Sequence, residues 1–418
     1  KRLMLFLYRI LINFTLLISP IIIIFRIIKN KEDPKRFLEK YSIPSKKRKS
    51  GKLVWFHGSS VGETLSVVPL IEKLEKDKNI DNILLTSNTL SSSKVFENLK
   101  FKKTIHQFFP IDSEIVINKF LNYWKPSLAI FIESEIWPNM ILNIKKRDIS
   151  LILLNARITK KTFNNWKKIK NFSSSLLSKF DICLSQNNET VNYLKKLGAT
   201  NIKKIGNLKF SETSIKKVNS INKYKYNFLM KNKILFGAIS THDNEEILCS
   251  KIHLKLKNKF KNGITIIIPR HAHRAAKIKN DLEERGLIVY LHSSSNKIEK
   301  RTDIYIVDTY GETQSFMNIC DIVFLGGSLI RHGGQNPLEA ARLGCKVIHG
   351  PHIYNFTEVY NLLNKIKISS KIKNISEAKL EILKIINSKS NLDKNFKKLN
   401  KLGKKILFHN TKEIKKYI

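Results

Sequence analysis

The chain has 418 residues, 42% of them hydrophobic, which excludes a disordered polypeptide and allows two or three domains with well-developed cores. Its four cysteines lie far apart with no C-x-x-C pair, which argues against a disulfide scaffold or a zinc framework and favours reduced thiols in a cytosolic compartment. The formal net charge of +42 indicates a polyanionic partner (nucleic acid, an anionic membrane or a phosphorylated substrate), although a bias towards Lys, Ile and Asn over the whole surface explains it equally well.

Residues 1–30 predict a membrane anchor. Nearly every residue from Leu3 to Ile28 is apolar, and 16 residues lie between Arg9 and Arg26, which is near the lower limit for a spanning helix. Pro20 would kink such a helix, and the apolar run is not followed by the small-residue cleavage site of a signal peptide. Both a spanning anchor and a helix lying in the membrane interface fit this segment.

The next segment, residues 31–52, is a strongly basic linker. Its basic run, together with the preceding Lys29, is Lys31, Lys35, Arg36, Lys40, Lys46, Lys47, Arg48 and Lys49. Positive charge beside an apolar segment is typical of the cytoplasmic side, and each cation near an anionic leaflet contributes roughly 1 kcal/mol of attraction. We therefore expect the rest of the chain to be cytoplasmic.

From residue 53 onwards, short apolar runs alternate with longer segments of helical spacing. The runs are Leu53–Phe56, Ile83–Thr86, Leu128–Ile132, Leu151–Leu154 and Ile182–Leu184, then Ile234–Ala238, Ile264–Ile268, Leu287–Tyr290, Ile304–Val307, Ile322–Leu325 and Val347–Ile348. This alternation predicts parallel sheets covered by helices on both faces. We expect an α/β domain over 53–212, an interdomain linker over 213–232, a second α/β domain over 233–385 and a helical tail over 386–418.

Two doubly wound, Rossmann-like domains joined by one linker would face each other across a cleft. That is the architecture of a GT-B glycosyltransferase. Fold alone does not fix chemistry, so the chemistry has to be argued from the motifs at the ends of the strands.

The turn after the first predicted strand, Gly58 to Thr64, carries one carboxylate, Glu63, at the start of a predicted helix. Ligands of open α/β sheets bind beyond the carboxyl ends of the strands, where a Gly/Ser turn lets a substrate approach the backbone. Glu63 is therefore a candidate general base. The alternative is that this carboxylate only complements the positive end of the helix dipole.

Two other segments of the first domain carry charged residues at candidate positions. Glu133 and Glu135 follow the third apolar run, and Lys209 lies at the edge of the linker. The two acids fit acid–base partners or metal ligands, but no D-x-D or H-E-x-x-H-like spacing accompanies them, so we expect no metal site. Lys209 taken alone fits a solvated surface charge as well as a group facing the cleft.

The second domain has polar turns after several of its strands. They contain Pro269 and Arg270; Tyr310, Gly311 and Glu312; Gly327 and Ser328; and Asn336, Pro337, Leu338 and Glu339. The glycines permit close backbone approach, and Asn336 and Pro337 suit the cap and first position of a helix. Such a helix start favours a nucleotide phosphate, and Glu339 could bond a ribose hydroxyl. An ordinary Gly-rich loop with a capped helix is the alternative.

Taken in order, these motifs resemble the 3-deoxy-D-manno-octulosonic acid (Kdo) transferase family, which adds Kdo to lipid A in Gram-negative bacteria. The set is S-V-G-E (60–63), E-S-E-I-W-P-N (133–139), N-A-R (155–157), G-N-L-K-F (206–210), P-R-H (269–271), Y-G-E (310–312), G-G-S (326–328), G-G-Q-N-P-L-E (333–339) and G-P-H-x-x-N-F (350–356). One motif would be weak evidence, whereas nine in order over nearly the whole chain are specific. The family often has His where Gln335 stands, and other residues where Ser59 and Tyr310 stand, which puts no catalytic position in doubt.

The resemblance implies an inverting transfer of Kdo from CMP-Kdo to the lipid A precursor, lipid IVA, without a cofactor. Glu63 would be the general base, and Glu133 and Lys209 would stabilise the transition state. The donor would lie against Pro269, Arg270, Tyr310, Gly311, Glu312, Gly327, Ser328, Asn336, Pro337, Leu338 and Glu339. The acceptor would place the protein at the anionic cytoplasmic face of the inner membrane.

Two other functions remain open at this stage. A membrane-associated GT-B enzyme that uses a UDP-sugar fits the fold, the anchor and the charge, although the order of the motifs argues against it. A nucleic-acid-binding protein fits the charge alone, and the basic residues are spread rather than clustered around aromatics, so we expect no specific nucleic acid partner. The number of Kdo residues added does not follow from these motifs.

Overall fold

The computed structural model describes residues 2–211, 220–231, 234–260, 263–387 and 389–418. The chain divides into two compact units. Unit 1 comprises Lys1–Thr213 together with Leu402–Ile418, and unit 2 comprises Ser214–Lys401. The predicted linker lies outside the described residues at 213–219 and at 232.

Unit 1 is built on one parallel sheet of seven strands in the order β3-β2-β1-β4-β5-β6-β7. The strands are β1 Leu53–His57, β2 Asn82–Ser87, β3 Thr104–Phe108, β4 Leu128–Ile132, β5 Ser150–Ala156, β6 Ile182–Ser185 and β7 Ile202–Lys204. The helices are α1 Arg2–Ile28, α2 Val61–Leu74, α3 Leu90–Glu97, α4 Glu114–Trp124, α5 Pro138–Lys145, α6 Lys160–Lys168, α7 Lys170–Leu177 and α8 Asn188–Lys196.

The centre of this sheet explains its apolar sequence. Every residue of β1 and β4 is buried, because helices cover both faces of a parallel sheet. Trp55 of β1 packs on Phe120 of α4 and on Phe131 of β4, with ring centroids 4.9 and 5.3 Å apart. The five predicted strands of unit 1 are confirmed, and their carboxyl ends meet at one edge of the sheet.

Unit 2 is built on a second parallel sheet of seven strands in the order β10-β11-β9-β8-β12-β13-β14. The strands are β8 Ile234–Thr241, β9 Gly263–Pro269, β10 Val289–Leu291, β11 Ile304–Ile306, β12 Ile322–Leu325, β13 Lys346–His349 and β14 Ser369–Lys371. The helices are α9 Lys223–Met230, α10 Glu245–Lys257, α11 Ala275–Glu283, α12 Thr313–Ile319, α13 Leu338–Arg342, α14 Thr357–Lys365 and α15 Ile375–Asn387. Helix α16, Lys389–Ile414, begins in unit 2 and ends in unit 1. Helix α9 lies in the segment that the sequence analysis predicts as a linker.

The end of the chain packs on unit 1. Ile406 and Ile414 of α16 are 3% and 0% exposed, and the Glu413 carboxylate lies 2.8 Å from Lys203 Nζ at the edge strand β7. Gly403 faces the Phe210 carbonyl so closely that a Cβ there would lie 2.2 Å from its oxygen. The last residues therefore contribute to unit 1 next to the loop that carries Lys209.

Candidate active site

A Ser-capped turn between β1 and α2 holds Glu63. Ser60 Oγ accepts a hydrogen bond from the Glu63 N–H (3.3 Å) and donates one back to the Glu63 carboxylate (3.1 Å). The Ser59 N–H donates to the other carboxylate oxygen at 2.6 Å. A Cβ at Gly58 would lie 2.9 Å from Ile132 Cδ1 and 3.2 Å from Glu63 Cβ, so glycine allows this close approach. The turn fixes both the position and the orientation of the half-buried carboxylate.

The surroundings of Glu63 raise its pKa above the ordinary value. Burial is the largest cause, the negative charge of Glu135 is the next, and the charge of Glu133 adds to both. The bonds from Ser59 and Ser60 lower the pKa but do not cancel these effects. A general base works best with a pKa near the operating pH, so the direction of this shift suits the role predicted for Glu63.

Glu135 lies in a network with two aromatic side chains, His57 and Trp137, to which the sequence analysis gave no role. His57 Nε2 lies 3.2 Å from a Glu135 oxygen, and Trp137 Nε1 donates to the same oxygen at 2.8 Å. The buried His57 ring stacks on Phe109 at 3.6 Å between centroids. Burial acts to raise the pKa of Glu135, but the hydrogen bond and charge of His57 and the bond from Trp137 outweigh it and lower the pKa. Glu135 is therefore held as a carboxylate beside Glu63.

Replacing Glu135 with Gln removes one of the charges that raise the pKa of Glu63. If deprotonated Glu63 is the base, activity falls as the pH drops through its pKa. We therefore expect the acidic limb of the pH profile of kcat/KM to move to lower pH in Glu135→Gln. The matched control is Glu72→Gln, at an exposed position of α2, whose profile should overlay that of the unsubstituted protein. An unmoved limb in Glu135→Gln would show that the titrating group is not coupled to Glu135.

Glu133 and Lys209 form an ion pair at the ends of β4 and of the loop after β7. Lys209 Nζ lies 2.8 Å from Glu133 Oε1, and Glu133 is 8% exposed. Asn155 Oδ1 accepts the Leu208 N–H at 2.9 Å, and Asn207 Oδ1 accepts the Lys209 N–H at 2.9 Å. These bonds hold the turn that presents Lys209. The structure thus brings the half-buried Lys209 side chain to Glu133, and its catalytic role stays a prediction.

The backbone is unusual at the two strand ends next to this pair. Glu133 and Asn155 have φ of 56° and 53°, in the left-handed region that non-glycine residues rarely adopt. Backbone strain of this kind persists where the surrounding structure enforces it, and it is concentrated at functional sites. Here it lies directly after β4 and near the end of its neighbour β5, at the same carboxyl end of the sheet as Glu63.

In unit 2, a cationic cluster surrounds Arg270. Its backbone N–H is bonded to the Thr241 carbonyl at 2.9 Å, while the residue itself is exposed. Burial lowers the pKa of His242, and the positive charges of neighbouring groups, including His332 and Arg270, lower it further. His242 and His332 contact each other with ring centroids 4.1 Å apart. Excess positive charge at the carboxyl ends of these strands suits an anionic ligand.

The Tyr310–Glu312 turn presents an exposed ring and a bonded acid. Tyr310 is 79% exposed, and Gly311 has φ +86°, a conformation that favours glycine. The Glu312 carboxylate pairs with Thr309 Oγ1 and lies 3.2 Å from His292 Nε2. Of these residues, Tyr310 is therefore the one whose side chain is open to a ligand.

Gly327 and Ser328 bond inwards to a buried acid that the sequence analysis missed. The Glu245 carboxylate accepts the N–H groups of Gly327 (2.7 Å), Ser328 (3.2 Å), Leu329 (3.1 Å) and His242 (3.0 Å). Burial raises the pKa of Glu245, and these four bonds act against that rise. The N–H groups of this glycine loop are thus bonded to a carboxylate of the protein itself.

The Ser328 side chain is also fully used inside unit 2. Its hydroxyl donates to the Leu325 carbonyl at 2.5 Å and accepts the Gly350 N–H at 3.0 Å, and the residue is 0% exposed. Contact of Gly327 and Ser328 with the donor stays a prediction. Their hydrogen-bonding groups shape the loop rather than point out of it.

Truncating Glu245 to Ala would leave four buried or half-buried N–H groups without their acceptor. Each unsatisfied buried donor costs about 1–3 kcal/mol, so we expect Glu245→Ala to lower the free energy of unfolding by several kcal/mol, measured by urea denaturation. Glu283→Ala is the control, because Glu283 makes only a surface pair with Lys279 at 3.7 Å and such pairs contribute little. Equal stability of the two variants would contradict this reading of the loop.

The segment Asn336 to Glu339 forms the start of the short helix α13. Asn336 Oδ1 accepts the Leu338 N–H at 3.2 Å, but Pro337 occupies the N-cap position, so the prediction that Asn336 is the N-cap is wrong by one residue. The prediction that Pro337 is the first helical residue is also wrong, because α13 begins at Leu338. Asn336 and Glu339 are exposed, whereas Pro337 and Leu338 are buried, as is Pro269 at the end of β9. Pro269, Pro337 and Leu338 could therefore contact a ligand only through the backbone or through the small exposed part of the side chain.

Among the residues that the structure describes, no group of three or more His, Cys, Asp or Glu side chains could hold a metal ion. The three acids of this site have other partners: backbone and hydroxyl donors for Glu63, a lysine for Glu133, and His57 with Trp137 for Glu135. Lys209 and Arg270 are the cations among the predicted site residues.

Comparison with known proteins gives consistent results over most of the chain. Residues 35–212 match the family described as 3-deoxy-D-manno-octulosonic-acid transferase. The chain is 34% identical to a 3-deoxy-D-manno-octulosonic acid transferase of Rickettsia bellii, over 88% of this chain and 87% of that protein. It is 28% identical to the enzyme of that name from Haemophilus influenzae, over 85% of this chain and 83% of that protein.

Among solved structures, the chain is similar to a UDP-GlcNAc 2-epimerase from Neisseria meningitidis. The TM-score is 0.55 at 14% sequence identity, over 88% of this chain and 99% of that chain. A likeness at this identity concerns the fold only. It agrees with the predicted GT-B class, which the two seven-stranded parallel sheets confirm.

Proposed function

Because the chain belongs to the Kdo transferase family, we propose that it transfers Kdo from CMP-Kdo to the lipid A precursor, lipid IVA, during lipopolysaccharide synthesis. The observation that carries the proposal is the arrangement in unit 1, where Glu63, with a raised pKa, shares a sheet edge with the Glu133–Lys209 pair. A base and a cation with fixed geometry are what a glycosyl transfer without a metal requires.

In the proposed reaction, a glucosamine hydroxyl oxygen of the acceptor attacks the anomeric carbon of Kdo. Glu63 takes the hydroxyl proton as the new C–O bond forms. The bond between the anomeric carbon and the phosphate oxygen breaks, and CMP leaves with the bonding electron pair. Attack opposite the leaving group inverts the anomeric centre. Lys209, oriented by Glu133, and Arg270 would offset the negative charge that develops.

For the donor, the exposed side chains support a site made of Arg270, Tyr310, Asn336 and Glu339. Arg270 belongs to the cationic cluster with His242, and such a cluster would attract the CMP phosphate. Gly327 and Ser328, held by Glu245, would support this surface from below. Pro269, Gly311, Glu312, Pro337 and Leu338 would shape it.

The acceptor is an amphiphile, and the described part of the chain has one helix, Arg2–Ile28, that is long and apolar enough to cross a membrane. We propose that the protein is associated with the cytoplasmic face of the inner membrane, where a lipid acceptor is reached without leaving the bilayer. An anionic surface would hold the basic segment 31–52.

Donor choice tests this proposal. The full chain would be incubated with lipid IVA and, separately, with freshly generated CMP-Kdo, UDP-glucose or UDP-N-acetylglucosamine, and nucleotide release would be measured with and without acceptor. We expect acceptor-dependent release of CMP only. Acceptor-dependent release of UDP, with none of CMP, would overturn the proposal in favour of a UDP-sugar transferase.

A further inference from the structure

One side of helix α1 is bonded to the rest of unit 1, which is what unit 1 means in this subsection, along most of its length. The polar contacts are Tyr8 with Asp112 (2.5 Å), Arg9 with Asn139 (3.0 Å) and Glu114 (3.1 Å), Ser19 with Tyr41 (2.8 Å), and Arg26 with Glu32 (3.1 Å). Met4 and Leu5 pack against the main core cluster of unit 1. Residues near both ends of the helix therefore touch the same folded unit.

The best defined of these contacts reaches deep into unit 1. Asp112 is 1% exposed, and besides the Tyr8 hydroxyl its carboxylate accepts the N–H groups of Asn139 and Met140 at the start of α5. Asn139 in turn accepts a bond from Arg9 Nε. Tyr8 and Arg9 thus complete the hydrogen bonding of a buried carboxylate and of a helix start. This is specific docking rather than a loose apolar contact.

This docking is incompatible with a helix that crosses a bilayer. Tyr8 and Arg26 are separated by 18 residues, which is about 27 Å of α-helix. A bilayer has a hydrocarbon core about 30 Å thick, so a crossing helix would put these two residues near opposite surfaces. Both contact polar groups of unit 1, which lies on one side only.

The other side of α1 is a broad apolar surface, which we call the α1 face. Its residues are Leu3, Phe6, Leu7, Ile10, Leu11, Phe14, Leu17, Ile21, Ile24, Phe25 and Ile28, each between 50% and 76% exposed. Contiguous exposed apolar area of this kind marks an interaction site. The surface has to be covered by an apolar partner.

The charges beside the α1 face indicate which partner covers it. Exposed cations follow the helix at Lys29, Lys31, Lys35, Lys46, Lys47 and Lys49. The only acids in the first 50 residues are Glu32, Asp33 and Glu39. Glu32 and Glu39 are buried in ion pairs with Arg26, Lys40 and Arg36. The exposed charge is therefore positive, and it complements an anionic lipid surface.

We propose that α1 lies in the plane of an anionic phospholipid bilayer, with the α1 face inserted among the acyl chains and unit 1 docked on its other side. Helices of this type lie about 5–10 Å into the boundary between headgroups and acyl chains. The protein would then be held to one leaflet by a surface rather than by a spanning segment. This inference concerns membrane geometry and is independent of the sugar that is transferred.

The depth of three labelled positions distinguishes the two geometries. Phe6, Leu17 and Ile28 are spaced by 11 residues, point in similar directions around the helix and are 60%, 76% and 72% exposed. Each would be changed to Cys in the full chain and spin-labelled, since the four native cysteines are buried. The labelled proteins would be bound to vesicles of phosphatidylethanolamine and phosphatidylglycerol. Accessibility to oxygen and to a polar nickel complex would report the depth.

We expect the same shallow depth at all three positions. A crossing helix would put Leu17 near the bilayer centre, about 16 Å deeper than Phe6 and Ile28, and that result would overturn the proposal. Three labels that stay accessible to the nickel complex while the chain elutes as a dimer would also overturn it, because a second copy would then cover the α1 face.

Vesicle binding gives a second readout. Leu17→Ser combined with Ile21→Ser should lower partitioning to the vesicles by about tenfold or more, and raised salt should weaken binding by the unsubstituted protein. Leu380→Ser is the matched control, because Leu380 is a 57% exposed apolar residue of unit 2, and it should bind like the unsubstituted chain. Unchanged binding by the double variant would contradict a role for the α1 face.

Discussion

Glu63→Gln is expected to lower the turnover number for Kdo transfer by roughly 10²- to 10⁴-fold, which is the usual contribution of a general base. The amide oxygen of Gln can still accept the Ser59 N–H, and its NH2 group can donate to Ser60 Oγ where the carboxylate accepted a bond, so the local structure should persist. What is lost is the ability to take a proton. The measurement is kcat with CMP-Kdo and lipid IVA at saturating concentrations.

The control for this prediction is Glu72→Gln in the same helix, at an exposed position, which should keep full activity. Thermal unfolding of both variants should match that of the unsubstituted protein. A kcat for Glu63→Gln within a few-fold of normal would remove the proton-accepting role from Glu63. Glu63 would then only complement the positive end of the α2 helix dipole, which is the alternative given above.

Lys209→Met has the second largest expected effect, a decrease in kcat of about 10²- to 10³-fold, as for other groups that stabilise developing charge. The methionine keeps the length of the side chain and removes the ammonium that lies 2.8 Å from Glu133. Glu133, 8% exposed, would lose this partner, so a modest decrease in stability is also expected. Kinetics and urea unfolding, measured side by side, separate the two effects.

Lys204→Met is the matched control, because Lys204 is an exposed lysine of β7 five residues earlier in the chain. It should change neither quantity. The double variant Glu133→Gln with Lys209→Met should lose less activity than the sum of the single losses, because the two residues act as a pair. A Lys209→Met enzyme with lowered stability and normal kcat would show that the pair is only structural.

How far the fold could be predicted depended on where each strand lies in its sheet. The central strands are buried on both faces, so they are continuous apolar runs and were found. The three strands that were missed are β3 (Thr-Ile-His-Gln-Phe), β7 (Ile-Lys-Lys) and β14 (Ser-Ser-Lys), and all three are at sheet edges. An edge strand has one neighbour and less cover, so it tolerates polar residues and gives a weaker pattern.

The site was predictable where one local motif determines the geometry. The strand–turn–helix pattern identified Glu63, and the structure holds it in a Ser-capped turn. The pairing of Glu133 with Lys209, 76 residues apart, was not derivable from spacing, and the resemblance implied only that both residues stabilise the transition state. The role of Glu245 was missed because its four bonds depend on the way two distant loops meet. The sequence nevertheless carries a signal. Strand β8 is followed by the polar residues His242, Asp243 and Asn244, and Glu245 then begins helix α10.

For α1, composition alone left two geometries open. Hydropathy records that a helix is apolar and does not record what its polar residues touch. Tyr8, Arg9, Ser19 and Arg26 look like interruptions of a spanning segment in the sequence. In the structure, these residues are the ones that dock the helix on unit 1.

Mass spectrometry of the lipid product tests the central claim most directly. The full chain would be incubated with lipid IVA and freshly generated CMP-Kdo, next to Glu63→Gln under the same conditions. We expect lipid IVA to gain the mass of one or more Kdo units with the unsubstituted chain and none within the same time with the variant. An acceptor of unchanged mass after incubation with well-folded unsubstituted protein would contradict it.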